Sequence, residues 1–266
     1  MINLVEFFRQ IPFFEAIRWI CSCLGLDYYH SPAQDLPESL KVTKLLMELG
    51  DGIDTDEDDV PVRPISEHIL SYYKPWFSKL FLKDGISYHA QSVFGVAFDD
   101  ETNRIAIPIY DEIGNLVGVK GRYWSNQVPD GLSKYMYIEP CPRYKILYGL
   151  NHTYQSIRKE GIAYVFESEK AVMQCWSAGI QNCVATGGKR VSQNQIELLT
   201  RLCVPICFCF DQDVMRKELE DLSERFLNEV VIYATLDQEN ILDEKQSPSD
   251  DIKKFKTLVD KKIRLK

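Results

Sequence analysis

The spacing of apolar positions divides the chain into stretches with different periods. Residues 3–26 read as two amphipathic helices. Leu4, Val5, Phe7 and Phe8 belong to the first, and Ala16, Ile17, Ile20, Cys23 and Leu24 repeat at helical spacing in the second. Gly25 stands where the second helix would stop. Residues 66–73 are again helical in pattern. Between 103 and 124 the period changes: Arg104–Ile109 and Leu116–Arg122 read as strands joined by a turn containing Gly114-Asn115. Pro108 has no N–H to give a ladder, so it predicts an edge or a bulge in the first of them.

From residue 162 strands and helices alternate. Strand 162–167 leads to helix 169–178, strand 182–186 to helix 193–202, and strand 204–210 to helix 214–228, with a last strand at 229–234. Ser192 and Gln195 have the spacing of a capping box at the start of the second helix. Three βα units in a row imply a parallel sheet with helices on both faces. Upstream, Ser31-Pro32 opens a connector that holds the acidic run from Asp51 to Asp59, and Pro61 and Pro64 close it. Such a charge run reads as a solvated linker. The expected class is α/β (α+β overall), and the expected divisions are a helical stub 1–30, a connector 31–65, a mixed α/β subdomain 66–150, a Rossmann-like parallel-sheet domain 151–245 and a helical tail 246–266.

Two of these strands stop at carboxylates. Tyr164-Val165-Phe166 runs into Glu167, and Cys207–Phe210 runs into Asp211-Gln212-Asp213. Ligands of an open parallel sheet bind at the carboxyl ends of its strands. Extended backbone puts Asp211 and Asp213 on one side and Gln212 on the other. Three carboxylates brought together repel one another unless a hard cation neutralises them, so a Mg²⁺ site handling phosphates follows. Thr186-Gly187-Gly188-Lys189, after the second strand, permits two readings. It is either a loop whose amides and lysine approach a phosphate, or a plain βα turn.

Composition narrows the possibilities. With 266 residues, 45% of them apolar and 26% charged, the chain can bury a sizeable core. The net charge of −8 makes its overall field repel nucleic acid, so any such contact needs a local basic groove. No apolar run reaches the roughly 18 residues of a membrane-spanning helix. Eight cysteines raise the question of zinc or disulfides, but the spacings Cys21-x-Cys23 and Cys207-x-Cys209 match no zinc motif. Cys203, Cys207 and Cys209, in or beside a core strand, are expected to act as small reduced hydrophobes. That usage suits a reducing cytoplasm.

The strand-end Glu with Asp-x-Asp resembles the TOPRIM domain, and the flanking motifs resemble the DnaG-type primases of bacteria and phages. Arg104–Arg122 is similar to that family's arginine-led strand, glycine turn and Gly-Gly-Arg ending. Ser133-Lys134-Tyr135 is similar to its Pro-Lys-Tyr, and Leu147-Tyr148-Gly149-Leu150 to its Leu-Tyr-Gly-Leu. Val165-Phe166-Glu167, Ala178-Gly179-Ile180, Val184–Gly187 and Phe210–Asp213 supply the TOPRIM half. The resemblance implies a DNA primase of the replication primosome. Such a nucleotidyltransferase makes short RNA primers from ribonucleoside triphosphates on single-stranded DNA. It also implies that Glu167, Asp211 and Asp213 hold Mg²⁺ or Mn²⁺. A basic ridge of Arg122, Lys134, Arg143 and Lys145 would guide the template, and Gly187, Gly188 and Lys189 would meet nucleotide phosphates.

The chain departs from the family in places. Ala171 stands where an Asp is common, with Glu169 as its substitute; the late acidic motif reads here as Ser247–Asp251, so Asp250 or Asp251 would serve as an outer metal ligand, Asp250 being the expected one. The family's zinc ribbon would lie before Met1, so no zinc is expected here; either the chain is a fragment, or a separate polypeptide supplies the ribbon, or the protein works without one, and the resemblance implies a replicative helicase on another chain. No Gly-x4-Gly-Lys motif of a fused helicase occurs. A TOPRIM nuclease, or a non-catalytic single-strand-binding or helicase-adaptor protein, remains the alternative.

Overall fold

The structure, a computed structural model, describes residues 2–24, 62–129, 131–244 and 246–266. The expected stop at Gly25, the Ser31-Pro32 opening, the acidic run and Pro61 lie outside them. The chain divides into two compact units, Met1–Arg63 and Pro64–Lys266. In the first, helices α1 (Ile2–Arg9) and α2 (Phe13–Cys23) form where helices were expected, but α1 buries no residue and α2 buries Phe13, Phe14 and, of its predicted apolar positions, Ala16 alone. Phe13 and Phe14 meet edge to face at 5.2 Å.

The second unit holds two five-stranded sheets. The first is an antiparallel meander of β1 (Lys74–Pro75), β2 (Ala97–Asp99), β3 (Arg104–Tyr110), β4 (Leu116–Tyr123) and β5 (Tyr135–Glu139), in that spatial order. Pro108 is tolerated because β2 pairs only with residues 104–106, which leaves that flank of β3 open; the register shift falls just beyond it, between Ile109 and Tyr110. Short helices α3 (Lys79–Lys83) and α4 (Tyr88–Val93) precede β2. The segment 66–73 forms a 3₁₀ turn, Glu67–Tyr72, capped by Ser66.

The second sheet has the order β10-β9-β8-β6-β7. Strands β6 (Ala163–Phe166), β7 (Cys183–Ala185), β8 (Ile206–Phe208) and β9 (Ile232–Ala234) pair in parallel, as the βα alternation requires. The helices between them are α6 (Glu169–Ser177), α7 (Gln193–Arg201) and α8 (Arg216–Glu224). Helix α8 starts later than its apolar pattern suggested because Val214 N–H closes a turn onto the Asp211 carbonyl. The C-terminal segment, expected to be a helical tail, forms helix α9 (Ile252–Asp260) and then β10 (Ile263–Arg264), which pairs antiparallel to β9. Phe255 of α9 is buried against Tyr164 and Phe166 of β6, with ring centroids 5.6 and 5.4 Å apart.

Residues 146–149 join the two halves. Tyr148 N–H donates to the Ala185 carbonyl at 2.8 Å, and the Tyr148 carbonyl accepts the Ala185 N–H at 3.1 Å, which extends the parallel sheet at the β7 edge. Helix α5 (Leu150–Glu160) starts there on Gly149, whose φ is +85°. A Cβ at Gly149 would lie 2.9 Å from Val172 Cγ1, so both backbone angle and packing demand glycine. All eight cysteines are free. Cys207 and Cys209 are buried as expected, but Cys203 is exposed: it sits in a left-handed position (φ +53°) just after α7, not in the strand.

Candidate active site

Parallel pairing places the ends of β6 and β8 side by side, with Val165 opposite Phe208. Glu167 and Asp211 follow those ends. The Asp211 N–H donates to Glu167 Oε1 at 3.0 Å, so the two expected site acids are brought together. Burial pushes the half-buried Glu167 carboxyl above the ordinary carboxylate range; the negative charges of Asp211 and Asp213 add to this, and the Asp211 N–H and Lys189 oppose it. Hard carboxylate oxygens at such a point suit a divalent metal ion.

Asp213 is arranged differently from the sequence expectation. It is exposed and forms an ion pair with Lys189, whose ammonium is held above its usual range by that bond. Among the described residues, no group of three or more His, Cys, Asp or Glu side chains is disposed to hold a metal ion. The physical reason is charge balance: Lys189 neutralises one acid that would otherwise confront two others. Asp250 is committed elsewhere. Its Oδ1 pairs with Lys170 Nζ at 2.7 Å and accepts from Gln174 Nε2 at 3.0 Å, while Oδ2 accepts the Ser247 N–H at 3.1 Å. Burial works against ionisation, but these donors outweigh it and hold the Asp250 carboxyl below its usual range. None of these partners belongs to the Glu167–Asp211 pair.

The loop after β7 is braced from within. Thr186 Oγ1 donates to the Phe166 and Gly188 carbonyls at 3.2 and 2.6 Å. Gly187 has φ +78°, a conformation that side chains resist. Lys189, one residue past Gly188, is the cation that reaches Asp213.

The four basic positions separate into two kinds. Arg122 is only 2% exposed. Its guanidinium donates to the Tyr123 carbonyl at 2.9 Å and to Asn126 Oδ1 at 2.7 Å, and lies 5.9 Å from the Phe81 ring. Lys134 is exposed, with Nζ 5.9 Å from the Tyr135 ring; Arg143 and Lys145 are half-buried on the 3₁₀ turn Arg143–Lys145. The Arg143 guanidinium lies 4.4 Å from the Tyr144 ring centroid. Arg104, which opens the family-like strand, is buried and donates to the Ser133 and Lys134 carbonyls at 2.7 and 3.2 Å. It therefore holds the loop that presents Lys134.

Two features escaped the sequence reading. Glu169, weighed there as a substitute metal ligand, instead forms a buried ion pair with Lys120 of β4, both Oε atoms lying 2.8 Å from Nζ. Nothing local in the sequence signals a pair separated by 49 positions. Gln195 was legible only as a capping residue. Its Oε1 does accept the Ser192 N–H, but its Nε2 also donates to the carbonyls of Arg143, Ile146 and Thr186 at 3.1, 2.8 and 2.8 Å. One buried amide thus ties the basic turn, the Leu147–Gly149 junction and the glycine loop to the start of α7.

Comparison with known proteins places this geometry. Residues 164–239 match the Toprim-like family. The DNA primase of Staphylococcus epidermidis is 29% identical over 199 residues, covering 72% of this chain and 32% of the relative. That of Halalkalibacterium halodurans is 32% identical over 127 residues, 47% of this chain and 20% of the relative. The chain thus spans a third or less of the length of these curated relatives. Among solved structures, the zinc-binding and RNA polymerase domains of the Aquifex aeolicus primase align with a TM-score of 0.62 at 21% identity, covering 99% of this chain and 70% of that one. A DnaG primase catalytic domain bound to single-stranded DNA aligns at 0.59 and 19% identity, covering 74% and 77%. Residues 164–239 are thus similar to the Toprim-like family, and the chain has the fold seen in DnaG primase catalytic domains.

Proposed function

We propose that the chain is the catalytic core of a DNA primase, a DNA-directed RNA polymerase that joins ribonucleotides on a single-stranded DNA template. The observation that carries this is the meeting of Glu167 and Asp211 at adjacent strand ends of a Toprim sheet whose relatives are primases. In the reaction the terminal hydroxyl attacks the α-phosphate of a ribonucleoside triphosphate and pyrophosphate leaves. When bound, Mg²⁺ or Mn²⁺ supplies neutralisation of the triphosphate and of the charge that develops on the reacting oxygens. Glu167 and Asp211 are the residues that would hold it, joined by Asp213 once its pair with Lys189 opens. Lys189, freed from Asp213, would then face phosphate, and the left-handed Gly187 leaves the loop backbone open for close approach. Lys134, Arg143 and Lys145 would contact template phosphates, whereas Arg122 supports the strand beneath them.

Ribonucleoside triphosphates and template are the substrates in this assignment. A replicative helicase is the expected protein partner. A second assignment, strand binding without catalysis, is favoured by one observation: Asp213 is engaged by Lys189, and among the described residues no group of three metal-ligating side chains forms at Glu167 and Asp211. The deciding experiment is incorporation of labelled ribonucleotide on single-stranded templates with and without a supplied primer, in Mg²⁺ and in Mn²⁺. Template- and metal-dependent incorporation is the expected result. Strand binding with no incorporation under any of these conditions would replace the primase assignment with the second one.

A further inference from the structure

We infer that Asp237 is a positioning residue for the metal-holding carboxylates, and that it acts through Gln212, the middle residue of the Asp-x-Asp segment. The inference rests on the assignment of Glu167 and Asp211 as holders of a divalent ion, and it names what aims the acid segment at that ion. Gln212 Nε2 donates to Asp237 Oδ2 at 3.1 Å and lies 3.5 Å from the Leu242 carbonyl. In the sheet, β9 lies on one side of β8, and β6 and then β7 lie on the other. Asp237 follows β9 and Lys189 follows β7. The acid segment after β8 is therefore tied on two opposite flanks, at Asp213 by Lys189 and at Gln212 by Asp237.

Three observations give this tie a role beyond closing a loop. First, packing alone does not fix the acid segment. The Asp211 N–H donates to Glu167, and the Asp211 carbonyl accepts the Val214 N–H at 3.1 Å. Beside Gln212, however, lies a cavity of about 380 Å³ whose walls include Phe210, Asp211, Asp237 and Leu242. Where side chains do not interdigitate, hydrogen bonds decide where a segment sits. Second, Asp237 is itself fixed before it receives Gln212. Its Oδ1 accepts the Ile241 N–H at 2.7 Å and its Oδ2 the Leu242 N–H at 2.8 Å. Two residues earlier, the Thr235 N–H donates to the Phe208 carbonyl of β8 at 2.9 Å. The carboxylate that receives Gln212 is thus anchored to the strand that carries the acids. Third, the metal-holding state depends on it. Lys189 has to leave Asp213 before Asp213 can face a cation, and that release removes the tie on the β7 flank. The tie to Asp237 survives the release and keeps the segment aimed. Groups that hold metal ligands in place are worth about ten- to a hundredfold in metal affinity.

The test is the affinity of the whole chain for Mn²⁺, followed by the loss of the free-ion electron paramagnetic resonance signal. The proteins compared are wild type, Gln212→Met, Asp237→Ala, the double variant and Glu167→Ala. Gln212→Met keeps the length of the side chain, removes the donor and leaves the Asp237 loop closed on Ile241 and Leu242. Each single variant is expected to bind Mn²⁺ about tenfold more weakly. The double variant should bind no more weakly than Asp237→Ala, because the two residues act through one bond; independent effects would multiply to about a hundredfold. The thermal midpoint of Gln212→Met should match wild type, since that residue is exposed. If Asp237→Ala fails to fold, Gln212→Met decides alone. Wild-type affinity in Gln212→Met would overturn the brace while the metal assignment stands, and a lowered midpoint with unchanged Mn²⁺ affinity in Asp237→Ala would reduce Asp237 to a loop closure. Multiplied losses in the double variant would break the link between the two residues and end the proposal. Failure of wild type to bind Mn²⁺, or wild-type affinity in Glu167→Ala, would overturn the metal assignment itself and the brace with it.

Discussion

Lys120 Nζ sits 2.8 Å from both carboxylate oxygens of Glu169, joining β4 of the antiparallel sheet to the first turn of α6. The side chains are 14% and 5% exposed. Tyr137 and Cys141 lie in the same pocket, and burial with the Glu169 charge pushes the Cys141 thiol up to about 12. The pair is a strut between the two halves of the unit, two residues after Glu167.

Breaking this strut on one side should be costly. Lys120→Met or Glu169→Leu alone leaves a buried charge without a partner and should destabilise by about 3 to 5 kcal/mol. The double variant Lys120→Met/Glu169→Leu removes both charges and should recover most of that loss. Urea unfolding of the three variants decides it; equal, small losses in all three would show that solvent screens the pair.

Glu167→Ala and Asp211→Ala should each abolish nucleotide incorporation while the thermal midpoint holds or rises. Burial and neighbouring acids already disfavour the ionised Glu167, so removing charge relieves repulsion. Full incorporation by both variants in Mg²⁺ would show the site to lie elsewhere.

Gln195→Leu should destabilise the chain by about 3 kcal/mol or more, because three carbonyls lose their shared donor in a buried place. Hydrogen exchange should show the 143–148 segment opening first. Unchanged protection there would mean that the segment is held by other contacts.

Charge reversal at Lys134 and Lys145 should weaken strand binding alike for any sequence and lower the slope of affinity against salt, since fewer counterions are released. Arg122→Met should instead lower stability, because Asn126 and the Tyr123 carbonyl lose a buried donor. A salt slope reduced as much by Arg122→Met as by the lysine reversals would put Arg122 on the ridge after all.

The Asp250 network has a defined pH window. The folded carboxyl titrates below its unfolded value of about 3.9, so its contribution is full above that pH and is lost as pH falls through the lower, folded value. Asp250→Asn should therefore lower the thermal midpoint at neutral pH and flatten its decline on acidification. Parallel midpoint curves for wild type and variant would show that the group contributes no linkage.

Much of this molecule was legible along the chain because the signals are local. Period and capping follow from backbone geometry over a few residues, so α6, α7 and the four parallel strands stand close to where the apolar pattern put them, and Ser192 and Gln195 form the expected box. Right-handed βα crossovers bring successive parallel strands into one sheet, and so the ends bearing Glu167 and Asp211 had to converge. What the chain could not announce is the choice of partner for each charge. Arg122 and Lys134 look equivalent in sequence, yet one is buried on Asn126 and the other faces outward. Glu169 went to Lys120, Asp213 to Lys189 and Asp250 to Lys170. Those choices depend on which side chains packing brings within a few ångströms and how much water it removes around them, and both are properties of the tertiary structure alone.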